Sequence, residues 1–558
     1  MIKLEGGRVY DPVNGLDGKL MDLYIEDGKL VKPAAGKKVR RVIGLNGSIV
    51  MAGGIDIHTH IGGGKVSIAR LLLAQDHDDN RVASSALTRS GSGSIAPSSF
   101  VTGYRYAEMG YTTCFEPAMM PVNARQSHLE MADTPMLDTG AYALLGNDDF
   151  LLRLLNSGKE QPLVNDYVAW TIHAARAMGI KVVNPGGISA FKFNQRKLDL
   201  DEKNNYYEIT PRNVLTALLD ALEAIGVPHP LHVHGCNLGV PGNYLTTLET
   251  IAAAEGRPLH LTHVQFHSYG AEGDRKFSSA AAQLAEAVNL NRNVSIDVGQ
   301  IMFGQTVTTS ADSMMQHKGH IHAHPKKWVC MDIECDAGCG VVPFRYRDRN
   351  FVNALQWCIG LEIFLLVKDP WRIFLTTDHP NGAPFTSYPH LIRLLMDKGF
   401  RNDMLTTINK DAADASILST LDREYSLYEI AIITRAAPAR SLGLRNHGHL
   451  GTGATADITV YKPDDDAEAM FATPEYVFKR GELCVRNGKV CAIPATSTHV
   501  VEPEYDPGIE KPLKSYFDRY MTMSLENFKL SREELESYNQ HSLLVHDCKQ
   551  DLSADDAD

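Results

Sequence analysis

The strongest signal in this chain is the segment Ser48-Ile-Val-Met-Ala-Gly-Gly-Ile-Asp-Ile-His-Thr-His60. An apolar run leads into two histidines, His58 and His60, that stand two positions apart. Because side chains alternate across a strand, both imidazoles should point to the same side of the strand end. Two neutral imidazoles placed in this way suit a borderline metal ion such as zinc.

The composition excludes several classes of protein. The chain has 558 residues, more than one ordinary domain needs, and its net charge of −12 argues against nucleic acid as a main partner. The apolar run at 357–367 contains Glu362 and is shorter than the roughly 20 residues of a membrane span, so it predicts a buried helix. The nine cysteines are widely spread and no signal segment opens the chain, which predicts reduced thiols in the cytoplasm.

The sequence predicts four regions. Residues 1–52 and 441–500 both show short alternating strands between turns, so we expect the two chain ends to build one small β-sandwich. Residues 53–440 alternate apolar runs with helical stretches, which predicts an α/β fold with parallel strands and fits a (β/α)₈ TIM-like barrel. Residues 501–558 predict a helical extension with an acidic, frayed end.

Polar candidates follow the apolar runs of the middle region, and in such barrels the chemistry lies at the carboxyl ends of the strands. Most lone histidines, lysines or aspartates of this kind serve the fold or solvent. A lysine aimed into a barrel mouth would nevertheless be costly as a bare cation, and conversion to a carbamate would make it an anionic bridging ligand. Taken together in this order, the candidates predict a binuclear metal site. They are His58 and His60, Lys181, the pair His232 and His234, the pair His260 and His263, and Asp378.

The order of these residues resembles that of the binuclear amidohydrolases. Longer blocks narrow the resemblance to the A-type subunits of formylmethanofuran dehydrogenases and their bacterial formyltransferase/hydrolase relatives. The blocks are Val182-Val-Asn-Pro-Gly-Gly, His232-Val-His-Gly-Cys-Asn, Leu261-Thr-His-Val-Gln-Phe-His-Ser-Tyr-Gly270 and Leu375-Thr-Thr-Asp-His-Pro-Asn-Gly.

This resemblance implies a metal-dependent amidohydrolase with two Zn²⁺ ions. Lys181, N6-carboxylated, would bridge the metals, His58 and His60 would hold the more buried ion, and His234 and His263 the outer one. Asp378 would bind metal and carry the proton from the attacking water to the leaving amine. His232 and His260 would then lie behind the ligands or serve the fold.

The implied reaction is hydrolysis of the N-formyl group of a methanofuran-type or methylofuran-type carrier, which releases formate and the free amine. The implied partners are the other subunits of a formyltransferase/hydrolase complex of one-carbon metabolism and the formylated furfurylamine-type carrier, with no nucleic acid and no membrane. Three alternatives remain. They are an archaeal A-type subunit that condenses formate with methanofuran, a cyclic-amide hydrolase of the dihydropyrimidinase or allantoinase kind, and a non-catalytic scaffold barrel.

Further polar residues are weaker candidates. Asn184, Gln265 and Asn237 lie beside the predicted ligands, which makes substrate contact plausible for each. The cysteines of the stretch 330–339 follow a histidine-rich run, but they contain no CxxC pair, so a structural or substrate-loop role is favoured over a second metal site.

Overall fold

The computed structural model describes residues 1–33, 37–186, 198–204, 207–309, 331–333, 339–537 and 541–548. Eight strands of the described chain follow one another in parallel and confirm the predicted barrel. Thr59 and His379 form a parallel β-bridge, in which the amide of His60 donates to the carbonyl of His379, and this bridge joins the first strand to the eighth. Barrel strands one to eight are Gly54–Asp56, Tyr111–Met119, Asp138–Leu144, Gly179–Val183, Leu231–His234, Leu259–Leu261, Val294–Asp297 and Ile373–Phe374.

The barrel strands form because their side chains can be buried on both faces. Barrel strand four, Gly179–Val183, is buried along its whole length, as expected for a parallel strand covered by helices. Register aligns Lys181 with His232 of strand five and His232 with His260 of strand six. The barrel interior therefore contains a layer of polar side chains just below the strand ends.

Helices cover the barrel. The helix Pro211–Ile225 shows how the sequence sets their limits: Thr210 and Asn213 form a capping box at its start, and Gly226 ends it in the left-handed conformation. The α-helices around the barrel are Gly64–Leu71, Ala74–Asp79, Ser99–Glu108, Ala124–Ala132, Asp149–Asn156, Gln161–Ala175, Pro211–Ile225, Tyr244–Ala253, Ala281–Leu290, Phe351–Leu366, Tyr388–Met396, Lys398–Thr407, Lys410–Asp414, Leu427–Ala431 and Ala437–Ser441.

The helix Phe351–Leu366 contains most of the apolar run that predicts a buried helix, and it is buried in the core. Its Glu362 is also buried and accepts hydrogen bonds from Ser279, Ser416 and the amide of Ile417. In the described part of the chain, no helix is long and apolar enough to cross a membrane.

Both chain ends build a second sheet. Ile49–Ala52 runs antiparallel to Ile458–Tyr461, so the early and late strands join directly, and they share their own apolar core. A short helix, Ala467–Ala472, interrupts the late strands. Among the described residues the sheet has nine strands: Ile2–Asp11, Leu16–Glu26, Lys29–Leu30, Arg41–Gly44, Ile49–Ala52, Ile458–Tyr461, Tyr476–Lys479, Glu482–Arg486 and Lys489–Val490.

The C-terminal extension differs from a purely helical one. It contains the helices Glu510–Tyr520, Leu525–Phe528 and Arg532–Glu536, but also the strand Ser542–His546. That strand pairs in parallel with Ser497–Val501, which in turn pairs with barrel strand three through Thr498 and Thr139. The extension therefore continues the barrel sheet at its amino-terminal edge, while the acidic residues 549–558 lie outside the described residues.

A buried ion-pair cluster joins the second sheet to the barrel. Lys479 Nζ lies 2.6 Å from Asp138 Oδ2 and 2.6 Å from Asp457 Oδ2, and all three side chains are buried. Asp138 opens barrel strand three, whereas Lys479 ends a strand of the second sheet.

We expect Lys479→Met to destabilise the protein by about 3–5 kcal/mol, because two carboxylates would remain buried without their shared cation. Urea denaturation of the variant and the parent protein measures the difference. Lys410→Met is the matched control, since the Lys410–Asp414 pair is exposed and its loss should leave the midpoint unchanged. Equal midpoints for Lys479→Met and the parent protein would contradict a stabilising role for the cluster.

Candidate metal centre

Six sequence-predicted residues lie together at the carboxyl ends of the barrel strands. His58 and His60 follow strand one, and their Nε2 atoms lie 3.0 Å and 3.3 Å from Oδ1 of Asp378, which follows strand eight. All three side chains are buried. One ligand atom from each of them lies within 4.8 Å of the others, so this group could hold a metal ion.

A second group is made of imidazoles. His234 ends barrel strand five and His263 follows strand six, with ring centroids 4.5 Å apart. His267 joins them, at 5.2 Å from His234 and 5.4 Å from His263. The four ring nitrogens of His234 and His263 have no hydrogen-bond partner among the described residues. Burial lowers the pKa of all three rings, so they are neutral and able to bind metal.

Lys181 lies beside the first group. Its Nζ is 3.4 Å from His58 Nε2, and the side chain is fully buried. Burial lowers the pKa of the amine to about 8, although the nearby carboxylates of Asp378 and Asp297 oppose the shift. A neutral amine is therefore accessible near neutral pH. Addition of CO₂ to it would form a new N–C bond, release a proton and leave an anionic group with two oxygen ligands.

Glu116 fixes the orientation of His60. The carboxylate accepts hydrogen bonds from the amides of Ile61, Gly62 and Ala118, which hold it in place. Its Oε1 lies 3.1 Å from His60 Nδ1. A carboxylate can only accept here, so Nδ1 carries the proton and the Nε2 lone pair is directed to the site.

The proton positions on His58 follow from a chain of rings along the barrel axis. His229 Nδ1 lies 3.1 Å from the carbonyl oxygen of Ser441, which only accepts, so this nitrogen carries the proton. His229 Nε2 then accepts from His232 Nδ1 at 3.0 Å, and His232 Nε2 accepts from His58 Nδ1 at 2.8 Å. With Nδ1 of His58 engaged by His232, Nε2 is the nitrogen that faces Asp378 and would bind a metal ion.

Asp297 is a central residue that sequence reasoning missed. It ends barrel strand seven, and its Oδ1 accepts hydrogen bonds from the amide of His263 and the hydroxyl of Thr376. Its Oδ2 lies 3.1 Å from His260 Nε2 and 3.4 Å from His58 Nδ1. The sequence patterns likewise did not indicate Glu116, His229 or His267. The position of Asp297 at the end of the apolar run 294–297 could have identified it.

The proposed substrate contacts differ in their surroundings. Asn184 is buried and its backbone is in the left-handed conformation. Its backbone amide donates to the carbonyl of His234. Gln265 donates through Nε2 to the Tyr269 hydroxyl, while its buried Oε1 has no partner among the described residues. Substrate contact by these two stays a prediction.

Asn237 is engaged within the protein. Its side chain accepts from the amide of Leu198 and donates to Asp199 and Thr246. These contacts favour a structural role, so substrate contact by Asn237 stays a prediction without support from its surroundings. The stretch 330–339 lies mostly outside the described residues, and the side chains of its cysteines are among those not described.

The donor set fits a pair of metal ions. Two groups of buried ligands lie side by side, with the His58 and His263 rings 5.5 Å apart. The orphaned nitrogens of His234 and His263 would gain a partner, and Lys181 lies next to His58 where a bridging group is needed. Imidazole and carboxylate ligands of this kind suit zinc and similar divalent ions.

Comparisons with known proteins identify the family of the chain. A model of the amidohydrolase family matches residues 41–492. The chain is 44% identical over 533 residues to the A-type subunit of the formyltransferase/hydrolase complex Fhc of Methylorubrum extorquens, covering 95% of this chain and 96% of that protein. It is 40% identical over 558 residues to protein FwdA of Methanocaldococcus jannaschii, covering 96% and 97% of the two chains.

A solved structure gives the same result for the fold. A chain in the crystal structure of the formyltransferase/hydrolase complex from Methylorubrum extorquens, in complex with methylofuran, superimposes with a TM-score of 0.90. The match covers 98% of this chain and 100% of that one at 43% identity. The likeness therefore extends through the barrel, the second sheet and the C-terminal extension.

We expect Glu116→Gln to weaken metal binding about 10–100-fold, because the amide would turn a donor toward groups that also donate. Competition with a chromophoric chelator measures the affinity. Glu130→Gln is the control, since Glu130 binds the nearby amide of Gly63 and the hydroxyl of Ser67 without contacting His60 in the described structure. Unchanged affinity in Glu116→Gln would show that this carboxylate does not orient the ligand.

Proposed function

The chain belongs to the amidohydrolase family, and from that premise we propose that it hydrolyses the N-formyl group of a furfurylamine-type carrier. The products are formate and the free amine of the carrier. The observation that supports the proposal most is that six potential ligands lie together in one buried site. They are His58, His60, Lys181, His234, His263 and Asp378. The whole-length similarity to the A-type subunit of Fhc supports the choice of substrate class.

Two zinc ions fit this site best. His58, His60 and Asp378 would hold the inner ion and His234 and His263 the outer one, with carboxylated Lys181 between them. When bound, such ions lower the pKa of the hydrolytic water and polarise the formyl oxygen. His267 lies close enough to His234 and His263 to act as a further ligand of the outer ion.

Asp378 moves the proton. Burial alone would raise the pKa of the Asp378 carboxyl. The neighbouring imidazoles of His263 and His58 outweigh burial and keep this pKa well below its usual value. It is therefore ionised and ready to accept a proton from the attacking water. Asn381 Nδ2 donates to its Oδ1 at 2.9 Å and helps to hold the carboxylate in position. Asp378 then gives the proton to the leaving nitrogen, which an amide needs because its amine leaves poorly.

The assembly is inferred from the relatives. The Methylorubrum relative is named as part of a formyltransferase/hydrolase complex, and the solved complex contains methylofuran. We infer that this chain likewise works with other subunits and takes a methylofuran-type or methanofuran-type carrier. A cytoplasmic location is part of the same proposal.

The reverse reaction is the second candidate. Hydrolysis and its reversal pass through the same transition state, so the same buried site could also join formate to the carrier amine. The same residues would serve, because Asp378 would take the proton from the attacking amine. Cyclic-amide hydrolysis has less support, since the relative that matches 95% of this chain at 44% identity is named as part of a formyltransferase/hydrolase complex.

We expect Asp378→Asn to reduce formate release from an N-formylated furfurylamine carrier by about 10²–10⁴-fold, because an amide cannot take up the proton. Formate is measured with an enzyme-coupled assay on the metal-loaded protein. Asp411→Asn, an exposed aspartate, is the matched control and should keep full activity. Equal turnover by Asp378→Asn and the parent protein would refute the assignment of the base.

We expect Lys181→Ala to release no measurable formate and to lose bound zinc. Added acetate should restore part of both, because a small carboxylate can enter the space left by the side chain. Lys181→Arg should not respond to acetate, since its side chain still fills that space with a cation. The bridging role fails if a high-resolution map of the zinc-loaded protein shows an unmodified Lys181 amine.

A further inference from the structure

A second cluster of potential ligands lies at the opposite end of the barrel. Asp138 opens barrel strand three, His499 lies in the added strand Ser497–Val501, and His447 lies between the last barrel helix and the second sheet. All three side chains are buried, and one ligand atom of each lies within 4.8 Å of the others. Barrel strand three spans 7 residues, so about 20 Å separates this cluster from the carboxyl ends of the strands.

The two imidazoles have nitrogens that need partners. Neither ring nitrogen of His447 has a hydrogen-bond partner among the described residues, and the same holds for Nε2 of His499. The rings approach edge to face with centroids 5.1 Å apart. Buried polar atoms are usually paired, so these nitrogens are available to bind a ligand.

The Nδ1 atom of His499 already has a hydrogen-bond partner. His499 Nδ1 lies 2.8 Å from Nε2 of His546, which belongs to the C-terminal strand Ser542–His546. This contact resembles the outer hydrogen bond that orients metal-binding histidines. With Nδ1 engaged, Nε2 is the nitrogen that His499 presents to Asp138 and His447.

The carboxylate of Asp138 has room for one more partner. Its oxygens accept from Lys479 Nζ at 2.6 Å, from Arg480 Nη2 at 3.1 Å and from the amide of Ser497 at 2.7 Å. A carboxylate offers about four acceptor positions, so one remains. Lys479 also pairs with Asp457, and the two carboxylates thus offset the two cations.

The cluster borders a cavity through His447. A cavity of about 480 Å³ lies between the second sheet and the C-terminal strand, and His447, Arg480 and His546 are among the residues that line it. A metal ion entering there would meet His447 first and would keep a position open for water on the cavity side. Two imidazoles, one carboxylate and a water form the tetrahedral set that zinc prefers.

We propose that Asp138, His447 and His499 bind a further divalent metal ion of the zinc class, separate from the centre at the carboxyl ends of the strands. The ion joins three distant parts of the chain: the start of barrel strand three, the connection to the second sheet and the strand Ser497–Val501, which pairs with the C-terminal strand Ser542–His546. It therefore fastens the strand Ser497–Val501 to the barrel and stabilises the folded chain, because it binds the folded chain alone.

Metal counting tests this site. The full chain, with any subunits that purify with it, is stripped with a chelator, reloaded with zinc chloride and desalted. We expect the double variant His447→Gln/His499→Gln to retain one zinc ion per chain fewer than the parent protein and to release formate at the same rate. Loss of the ions at the carboxyl ends would instead abolish formate release, so failure of the two proposals can be told apart.

His541→Gln is the matched control for metal counting. His541 is a buried histidine whose ring contacts Thr496 and Thr498 beside the same added strand, outside the cluster. It should keep the full zinc content. Equal zinc content in the double variant and the parent protein overturns the proposal.

Anomalous diffraction from zinc-loaded crystals of the parent protein decides the question even if the double variant does not fold. A peak bonded to His447 Nε2 or Nδ1 and to His499 Nε2 supports the site. Peaks confined to the carboxyl ends of the strands overturn it.

Discussion

The chemistry of the site depends on one constraint, the burial of the Lys181 amine in the barrel interior. A bare cation there is unfavourable, and burial lowers the pKa of the amine to about 8. The nearby carboxylates cannot simply neutralise it, because Asp378 contacts His58 and His60 while Asp297 contacts His260 and His263. Conversion of the amine to an anion, together with the proposed binding of metal ions, would remove this conflict.

The same burial determines how the histidines are used. A ring with no access to water must have its protons placed by the protein, and here the Nδ1 atoms of His58 and His60 contact groups outside the site. Glu116 accepts from His60 and orients its ring. The carbonyl of Ser441 orients the ring of His58 through the hydrogen bonds of His229 and His232. The metal-binding ability of strand one is thus determined partly at the other end of the barrel axis, where the Ser441 carbonyl belongs to the last barrel helix.

Much of this arrangement could be predicted from the sequence, and the remainder could not for physical reasons. Periodicity and the strand ends identify the barrel and bring His58, Lys181 and Asp378 to one edge. Glu116 escaped notice because its strand, Tyr111–Met119, continues past it, so it does not mark a strand end. The strand Ser542–His546 has a partner 45 residues earlier in the chain, and such pairing leaves no local pattern.

Roles that depend on packing were equally hidden. The sequence predicted Asn237 to be near the metal ligands, and it does follow His234, but only the folded chain shows its side-chain amide engaged by Leu198, Asp199 and Thr246.

The glycines of the segment 48–60 show the opposite case, because the need for glycine there is steric and the residue type itself reveals it. A Cβ on Gly53 would lie 2.2 Å from Thr112 Oγ1, and one on Gly54 would lie 2.7 Å from the Tyr111 ring. These two glycines let the chain pass directly from the strand Ile49–Ala52 of the second sheet into barrel strand one. The strand of the second sheet, barrel strand one and His58 therefore follow one another within ten residues. The position of the first metal ligands is therefore coupled to the sheet built from both chain ends, and a shift of that sheet would be passed directly to His58 and His60.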